Sequence, residues 1–136
     1  MGAERTAAYG ADSATFRRRL RQALRCIGAL LAFMYALQVL NALVGQRLCL
    51  LGVQPRTLVG LIGVLVHPVL HASFGHLLVN TVPFAVLGGL VAMRGRDEFL
   101  ELSLFVALVE GVALWLFGRS GAIYVGVSGL IFGYFG

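Results

Sequence analysis

Charged residues are scarce in this chain. Its 136 residues include six acidic residues and eleven arginines but no lysine, so that only 12% of the residues are charged. Soluble globular domains carry about 25% charged residues, whereas 59% of this chain is hydrophobic. The composition therefore argues against a soluble domain and predicts an integral membrane protein in contact with the lipid bilayer. No Pro/Ser-rich linker divides the sequence, and its length fits one domain.

Cysteine is scarce as well. Cys26 opens the first apolar run and Cys49 lies just beyond its far end, so a bilayer would separate them. A disulfide needs α-carbons within about 7 Å of each other. The sequence therefore predicts that the two cysteines do not pair.

Basic residues are concentrated at the start of the chain. Six of the eleven arginines precede residue 26, directly ahead of the first apolar run. This placement is typical of a cytoplasmic flank that contacts anionic headgroups. No basic face interleaved with aromatic residues follows, so we expect no nucleic-acid binding. We predict a cytoplasmic arginine-rich tail at residues 1–25 and a transmembrane domain at residues 26–136.

Apolar segments predict an all-α, polytopic transmembrane bundle. Residues 26–44 are long enough to cross a hydrocarbon layer about 30 Å thick, which favours a retained helix over a cleaved signal peptide. Further spans are predicted at 75–93 and 99–117, and a fourth begins near Ser128. His67-Pro68 interrupts the intervening apolar stretch, so residues 57–74 are predicted to form a membrane-embedded loop with short helices.

The distribution of arginine predicts the topology. The positive-inside tendency puts the N-terminus and the charged turn at 94–98 in the cytoplasm, with eight of the eleven arginines. The second and fourth spans then both run from outside to inside. His76, Asn80 and Ser128 are therefore expected at outer helix ends, at the same depth on the same side of the membrane.

A serine between glycines stands at the start of the fourth span. In the motif Gly126-Val127-Ser128-Gly129, small residues allow close approach of a substrate, and a helix N-terminus favours an oxyanion. The alternative for Ser128 is an ordinary helix N-cap. Gly129 and Gly133 also form a small-xxx-small face suited to close helix packing.

Polar residues at the start of the second span form the other cluster. His76 and Asn80 are four residues apart and share one helix face. Both donate hydrogen bonds, as an oxyanion requires, and the alternative is an interhelical polar pair. His71 is about 140° around the helix from His76, so we expect it to hold the embedded loop.

Two further polar residues in the apolar segments have simpler expected roles. His67 is expected to be a hydrogen-bonding residue of the embedded loop. The spacing of the three histidines is not typical of zinc and lacks an acidic partner, so no metal site is predicted. Glu110, in the third span, is expected to be paired, protonated or turned toward a water-filled interior.

Together the two clusters resemble the motifs of the rhomboid intramembrane serine proteases, with the pattern His71-x4-His76-x3-Asn80 followed by Gly126-x-Ser128-Gly129. The resemblance covers roughly residues 25–136. It implies a bundle of six or more transmembrane helices, of which about four are present here. It also implies cleavage of transmembrane protein substrates near the outer membrane face, without metal or cofactor.

The resemblance also implies roles for individual residues. Ser128 would be the nucleophile, and His76 and Asn80 would bind the oxyanion. Phe132, four residues after the serine, matches an aromatic that packs on the catalytic histidine in that family. The resemblance gives supporting positions to the remaining motif residues, namely Gly126, Gly129 and His71.

One element of the family pattern is missing. Rhomboids take their general base from a histidine on the last core helix, and no histidine follows Ser128 in this sequence. Because a serine without a base is a weak nucleophile, we expect the 136-residue product to be inactive and the natural chain to continue.

Two other functions compete with the protease. One is a catalytically dead rhomboid-like protein that binds transmembrane clients. A small transporter subunit is disfavoured because the polar residues cluster at one membrane face instead of at the midplane. The arginine-rich, lysine-free composition points to a bacterial plasma membrane protein.

Overall fold

The computed structural model describes residues 2–136, with side chains described from residue 13 onward, and the fold is all-α. Within those residues the only extended pairing is an isolated antiparallel bridge between Val53 and Tyr124. The six α-helices are α1 (Gly2–Leu43), α2 (Leu58–Val66), α3 (Phe74–Pro83), α4 (Gly89–Arg94), α5 (Arg96–Phe117) and α6 (Ser128–Phe135).

Three segments are long and apolar enough to cross a membrane. They are Ser13–Leu43, Phe74–Arg94 and Arg96–Phe117, with 31, 21 and 22 residues. The predicted spans at 26–44, 75–93 and 99–117 fall within or along these segments and are confirmed as helices. The protein is an integral membrane protein of the polytopic helical class. Helix α1 continues without a break through residue 25, where the sequence predicts a domain boundary.

The second span contains a widened turn. A π-helical turn at Phe84–Gly88 joins α3 to α4 directly after Pro83. Proline lacks a backbone N–H and clashes with the preceding turn, so the ladder of hydrogen bonds must rearrange around it. The Phe84 N–H still reaches the carbonyls of Asn80 and Thr81, and the helix therefore continues to Arg94.

Short helices form the segment between the first two spans, as predicted. Thr57 caps α2, its Oγ1 accepting a hydrogen bond from the Gly60 N–H at 3.0 Å. The helix ends at His67-Pro68, and Leu70 is extended. Helix α2 has nine residues, fewer than the roughly 20 that cross a bilayer, and its outward side chains Leu58 and Leu65 are exposed apolar groups.

A glycine and an arginine allow this segment to pack closely against α5. A Cβ on Gly111 would lie 2.9 Å from both the Cα and the carbonyl oxygen of Val64 in α2, so the two backbones are close. The Arg56 guanidinium donates to the carbonyls of Leu116 and Gly118 at 2.8 and 3.0 Å. These are carbonyls at the end of α5, which lack intrahelical donors.

Helix α6 occupies an inner position in the bundle. It packs against α3, the π-helical turn and α5, and its Leu130 and Ile131 join the buried core. The Tyr134 ring lies 6.3 Å from the Phe84 ring and 6.0 Å from the Phe99 ring, while its hydroxyl pairs with Ser103. The start of α6, and with it Ser128, is therefore held by neighbours from three other elements.

The close approach of α2 and α5 gives a testable prediction. Gly111→Ala is expected to lower the free energy of unfolding by about 1–3 kcal/mol, because the added methyl group overpacks against the α2 backbone. The thermal unfolding midpoint in detergent measures the effect. Gly89→Ala is the matched control, since a Cβ there meets nothing within 4 Å. Equal midpoints for the two variants would contradict this packing.

Candidate active site

Ser128 is the first residue of α6 and is half-buried. The residue in the N-cap position is Val127, and α6 has no side-chain cap hydrogen bond. The alternative interpretation of Ser128 as an ordinary N-cap is therefore wrong. The N–H groups in the first turn of a helix have no intrahelical acceptors, so the backbone beside Ser128 can donate hydrogen bonds to a bound oxygen.

The loop before Ser128 is tied to the segment after α2 through its backbone. The Gly126 N–H donates to the His67 carbonyl at 2.9 Å, and the Val127 N–H donates to His71 Nε2 at 3.4 Å. Gly126 has a φ of +122°, which side-chain-bearing residues rarely adopt. The glycine of the motif is therefore required by the shape of this loop.

His76 and Asn80 lie beside that same glycine. A Cβ on Gly126 would lie 2.9 Å from His76 Cε1, 3.1 Å from His76 Nε2 and 3.8 Å from Asn80 Nδ2. Asn80 is buried, and its Nδ2 has no hydrogen-bond partner among the described residues. Two donor side chains predicted from the sequence thus converge on the residue two positions before Ser128.

His71 supports this arrangement by packing against His76. Its ring meets the His76 ring edge-on, with 5.3 Å between centroids. Burial, together with the neighbouring His76, lowers the pKa of His71 from its usual 6.5 to about 4. The ring is therefore neutral at pH 7 and Nε2 can accept the Val127 N–H. This geometry agrees with the expected loop-holding role of His71.

Asn41, near the end of α1, is a site-supporting residue that the sequence analysis missed. Its Nδ2 lies 3.2 Å from the His71 carbonyl, 3.2 Å from Cys49 Sγ and 2.6 Å from Gln46 Oε1. Its Oδ1 accepts the Leu48 N–H at 3.0 Å. A signal was available, because polar residues recur along one face of the apolar α1, namely Tyr35, Gln38 and Asn41.

Glu110 is paired, which is one of the states expected for it. Its Oε2 lies 3.5 Å from His67 Nε2, and His67 is 1% exposed while Glu110 is 25% exposed. The other ring nitrogen, His67 Nδ1, lies 3.0 Å from the Gly63 carbonyl. A methyl group on Gly129 would overlap the Glu110 carboxyl group. The buried pair thus reaches the first turn of α6.

The remaining predicted residue lies away from this cluster. Phe132 is 76% exposed on α6, so its packing role stays a prediction. Among the described side chains, no group of three His, Cys, Asp or Glu residues is arranged to hold a metal ion.

Comparison with known proteins places this geometry in a family. The family model described as the Rhomboid domain matches residues 55–136, which is more than half of the chain. The chain belongs to the rhomboid family. The matched region contains α2 to α6 and therefore every residue of the candidate site except the supporting Asn41.

Curated relatives of this rhomboid are mycobacterial. The uncharacterized protein Rv1337 of Mycobacterium tuberculosis is 36% identical over 108 residues, which is 76% of this chain and 45% of the relative. The uncharacterized protein ML1171 of Mycobacterium leprae is 34% identical over 138 residues, which is 96% of this chain and 55% of the relative. The chain thus spans about half the length of the curated relatives it matches. No solved structure matches it significantly.

The role of Asn41 can be tested by stability. Asn41→Ala is expected to lower the free energy of unfolding by about 1–3 kcal/mol, because the Leu48 N–H loses its acceptor and the His71 carbonyl keeps only the Cys49 thiol as a donor. Thermal unfolding in detergent measures the change. Gln54→Ala removes an exposed amide whose one hydrogen bond is local, and should leave the midpoint near that of the wild type. An unchanged unfolding midpoint in Asn41→Ala would refute the supporting role of the Asn41 hydrogen bonds.

Proposed function

We propose that this protein acts as an intramembrane serine endopeptidase with Ser128 as its nucleophile. The observation that carries the proposal is the convergence of His76 and Asn80 on Gly126, within two residues of Ser128. The two motifs are far apart in sequence and have little reason to meet unless they serve one site. Membership of the rhomboid family, generally composed of such proteases, supports the same conclusion.

The chemistry follows from the groups present. The Ser128 hydroxyl attacks the scissile carbonyl carbon, and its proton passes to a general base. The carbonyl oxygen becomes an oxyanion that accepts hydrogen bonds from His76, Asn80 and the N–H groups at the start of α6. The amine then leaves with a proton, and water hydrolyses the acyl-enzyme. Phe132 would pack on the histidine that serves as base.

All three histidines of residues 1–136 already have other tasks. His67 pairs with Glu110, His71 accepts from Val127, and His76 lies against Gly126 and His71. No described hydrogen bond joins Ser128 to a histidine. The protease proposal therefore requires a general base from outside residues 1–136.

This distribution of histidines favours a second candidate, a rhomboid-like protein that binds transmembrane clients without cleaving them. A client helix would bind beside the start of α6, and Ser128 would contribute packing only. The two candidates differ in whether Ser128 is chemically reactive.

Substrates in the protease proposal are transmembrane proteins cut near the outer face of a bacterial plasma membrane. Ser128 begins α6, while His76 and Asn80 lie in the first half of the span Phe74–Arg94. A shared outer position of these helix starts accords with a cytoplasmic N-terminus, as the arginine distribution predicts.

Reactivity of Ser128 decides between the candidates. In the full-length gene product in vesicles, an activated fluorophosphonate is expected to label Ser128, and Ser128→Ala should abolish labelling. Asn80→Ala should slow it by about 100-fold, because one oxyanion donor is lost. Ser120→Ala, in the exposed loop before the site, is the control. Unlabelled Ser128 in a folded protein would favour client binding.

Topology can be tested with single cysteines in a cysteine-free background. Ser120→Cys is expected to react with a membrane-impermeant maleimide added to intact cells, whereas Asp97→Cys should react only after lysis. Asp97 lies in the first turn of α5, and Ser120 lies in the loop that follows the other end of that helix. The reverse pattern of labelling would overturn the cytoplasmic assignment of the N-terminus.

A further inference from the structure

Among the described side chains, the His67–Glu110 pair is the one partly buried acid–base contact that the proposed chemistry leaves unused. Glu110 lies in the apolar helix α5, and an ionisable residue inside a membrane span is usually functional. Its carboxyl group faces His67, which is 1% exposed. A buried ion pair is weak grounds for stability, because hydrophobic residues of similar size often replace it without loss.

Hydrogen bonding to the backbone fixes which ring nitrogen of His67 carries a proton. His67 Nδ1 lies 3.0 Å from the Gly63 carbonyl, which only accepts hydrogen bonds. Nδ1 therefore carries a proton. Without a second proton, His67 Nε2 would present a lone pair to the Glu110 oxygen 3.5 Å away. His67 Nε2 and Glu110 Oε2 are buried atoms with no hydrogen-bond partner elsewhere among the described residues, so each faces the other.

Both members of the pair touch the segment that carries Ser128. The His67 carbonyl accepts the Gly126 N–H at 2.9 Å. The Glu110 carboxyl group occupies the space beside Gly129, where a methyl group would overlap it. The pair thus contacts the residue two positions before Ser128 and the residue directly after it. A negative group at this point also suits the positive end of α6.

We propose that Glu110 and His67 are positioning residues that hold Ser128 in register with His76 and Asn80. The pair links three elements, namely the segment after α2, helix α5 and the first turn of α6. Loss of the pair frees the Ser128 turn to shift relative to the oxyanion donors. This inference deepens the proposed protease function and rests on it for the rate effects.

The first experiment separates positioning from stability. The full-length protein is labelled at Ser128 with the fluorophosphonate, and the maximal rate and half-saturating concentration are determined. Glu110→Leu and the double variant His67→Leu/Glu110→Leu should reduce the maximal rate by about 100-fold, as expected for a misplaced reacting group. The half-saturating concentration should not change, and the thermal midpoint of the double variant should stay at the wild-type value.

Two further variants are matched to this experiment. Glu110→Gln should keep a rate near that of the wild type, because its amide N–H can donate to the His67 Nε2 lone pair. Glu101→Gln, which alters an exposed carboxylate on the same helix, is the control and should have no effect. A wild-type labelling rate in Glu110→Leu would overturn the proposal. The proposal would also fail if the labelling rate of the double variant fell only together with its thermal unfolding midpoint.

A second test uses the overlap at Gly129. Gly129→Ala should slow labelling in the wild-type background, because its methyl group displaces the Glu110 carboxyl group. In a Glu110→Ala background, Gly129→Ala should reduce the labelling rate little further. Equal losses in the two backgrounds would contradict contact between Glu110 and the Ser128 turn.

Failure of the protease function is distinguishable from failure of this inference. In a Cys26→Ala/Cys49→Ser background, Ser128→Cys reports the position of the turn through its rate of reaction with a small methanethiosulfonate. Glu110→Leu should change that rate, whether or not the protein is a protease. Absence of wild-type phosphonate labelling would refute the protease alone, whereas an unchanged thiol rate would refute the positioning role.

Discussion

The close approach of the Gly126 backbone to the His76 ring is the contact on which the candidate site depends. It requires a residue without a side chain at a φ of +122°, and it requires α6 to lie inside the bundle beside α3. Tyr134, Leu130 and Ile131 hold α6 there by packing on the π-helical turn and α5. Side-chain packing along α6 thus keeps the preceding Gly126 backbone against His76.

Several buried polar groups in this apolar chain bind one another, whereas the Asn80 Nδ2 beside Gly126 has no hydrogen-bond partner among the described residues. Polar groups inside a bilayer cost free energy unless they find partners within the protein. Asn41 binds the backbone of the His71 segment, His71 binds Val127, and the His67–Glu110 pair adjoins Gly129. These contacts connect α1, the embedded segment, α5 and α6. The need to pair polar groups therefore builds the site as well as the fold.

Sequence patterns predicted the elements better than their contacts. The spans were predicted from the apolar runs, and the short helices were predicted from the His67-Pro68 break. Both predictions succeeded because run length and proline geometry are local properties of the sequence. Charge asymmetry and helix direction predicted that His76, Asn80 and Ser128 share one depth and side of the membrane, and the structure places His76 and Asn80 beside Gly126. Asn41 and the partner of Glu110 were missed, since both depend on tertiary neighbours. The interpretation of Ser128 as an N-cap failed because the helix begins at Ser128 itself and the N-cap is Val127, a boundary error of one residue to which sequence patterns are prone.

A double-mutant cycle tests the central contact most directly. The free energy of unfolding is measured in detergent for the wild type, Gly126→Ala, His76→Ala and the double variant. Strain from the positive φ is present in both backgrounds and cancels, so that the cycle isolates the contact with the ring. We expect a coupling free energy of about 0.5–3 kcal/mol, with Gly126→Ala costing less once the ring is removed. Additive effects would show that the Gly126 backbone and His76 are not in contact, and the candidate site would be wrong.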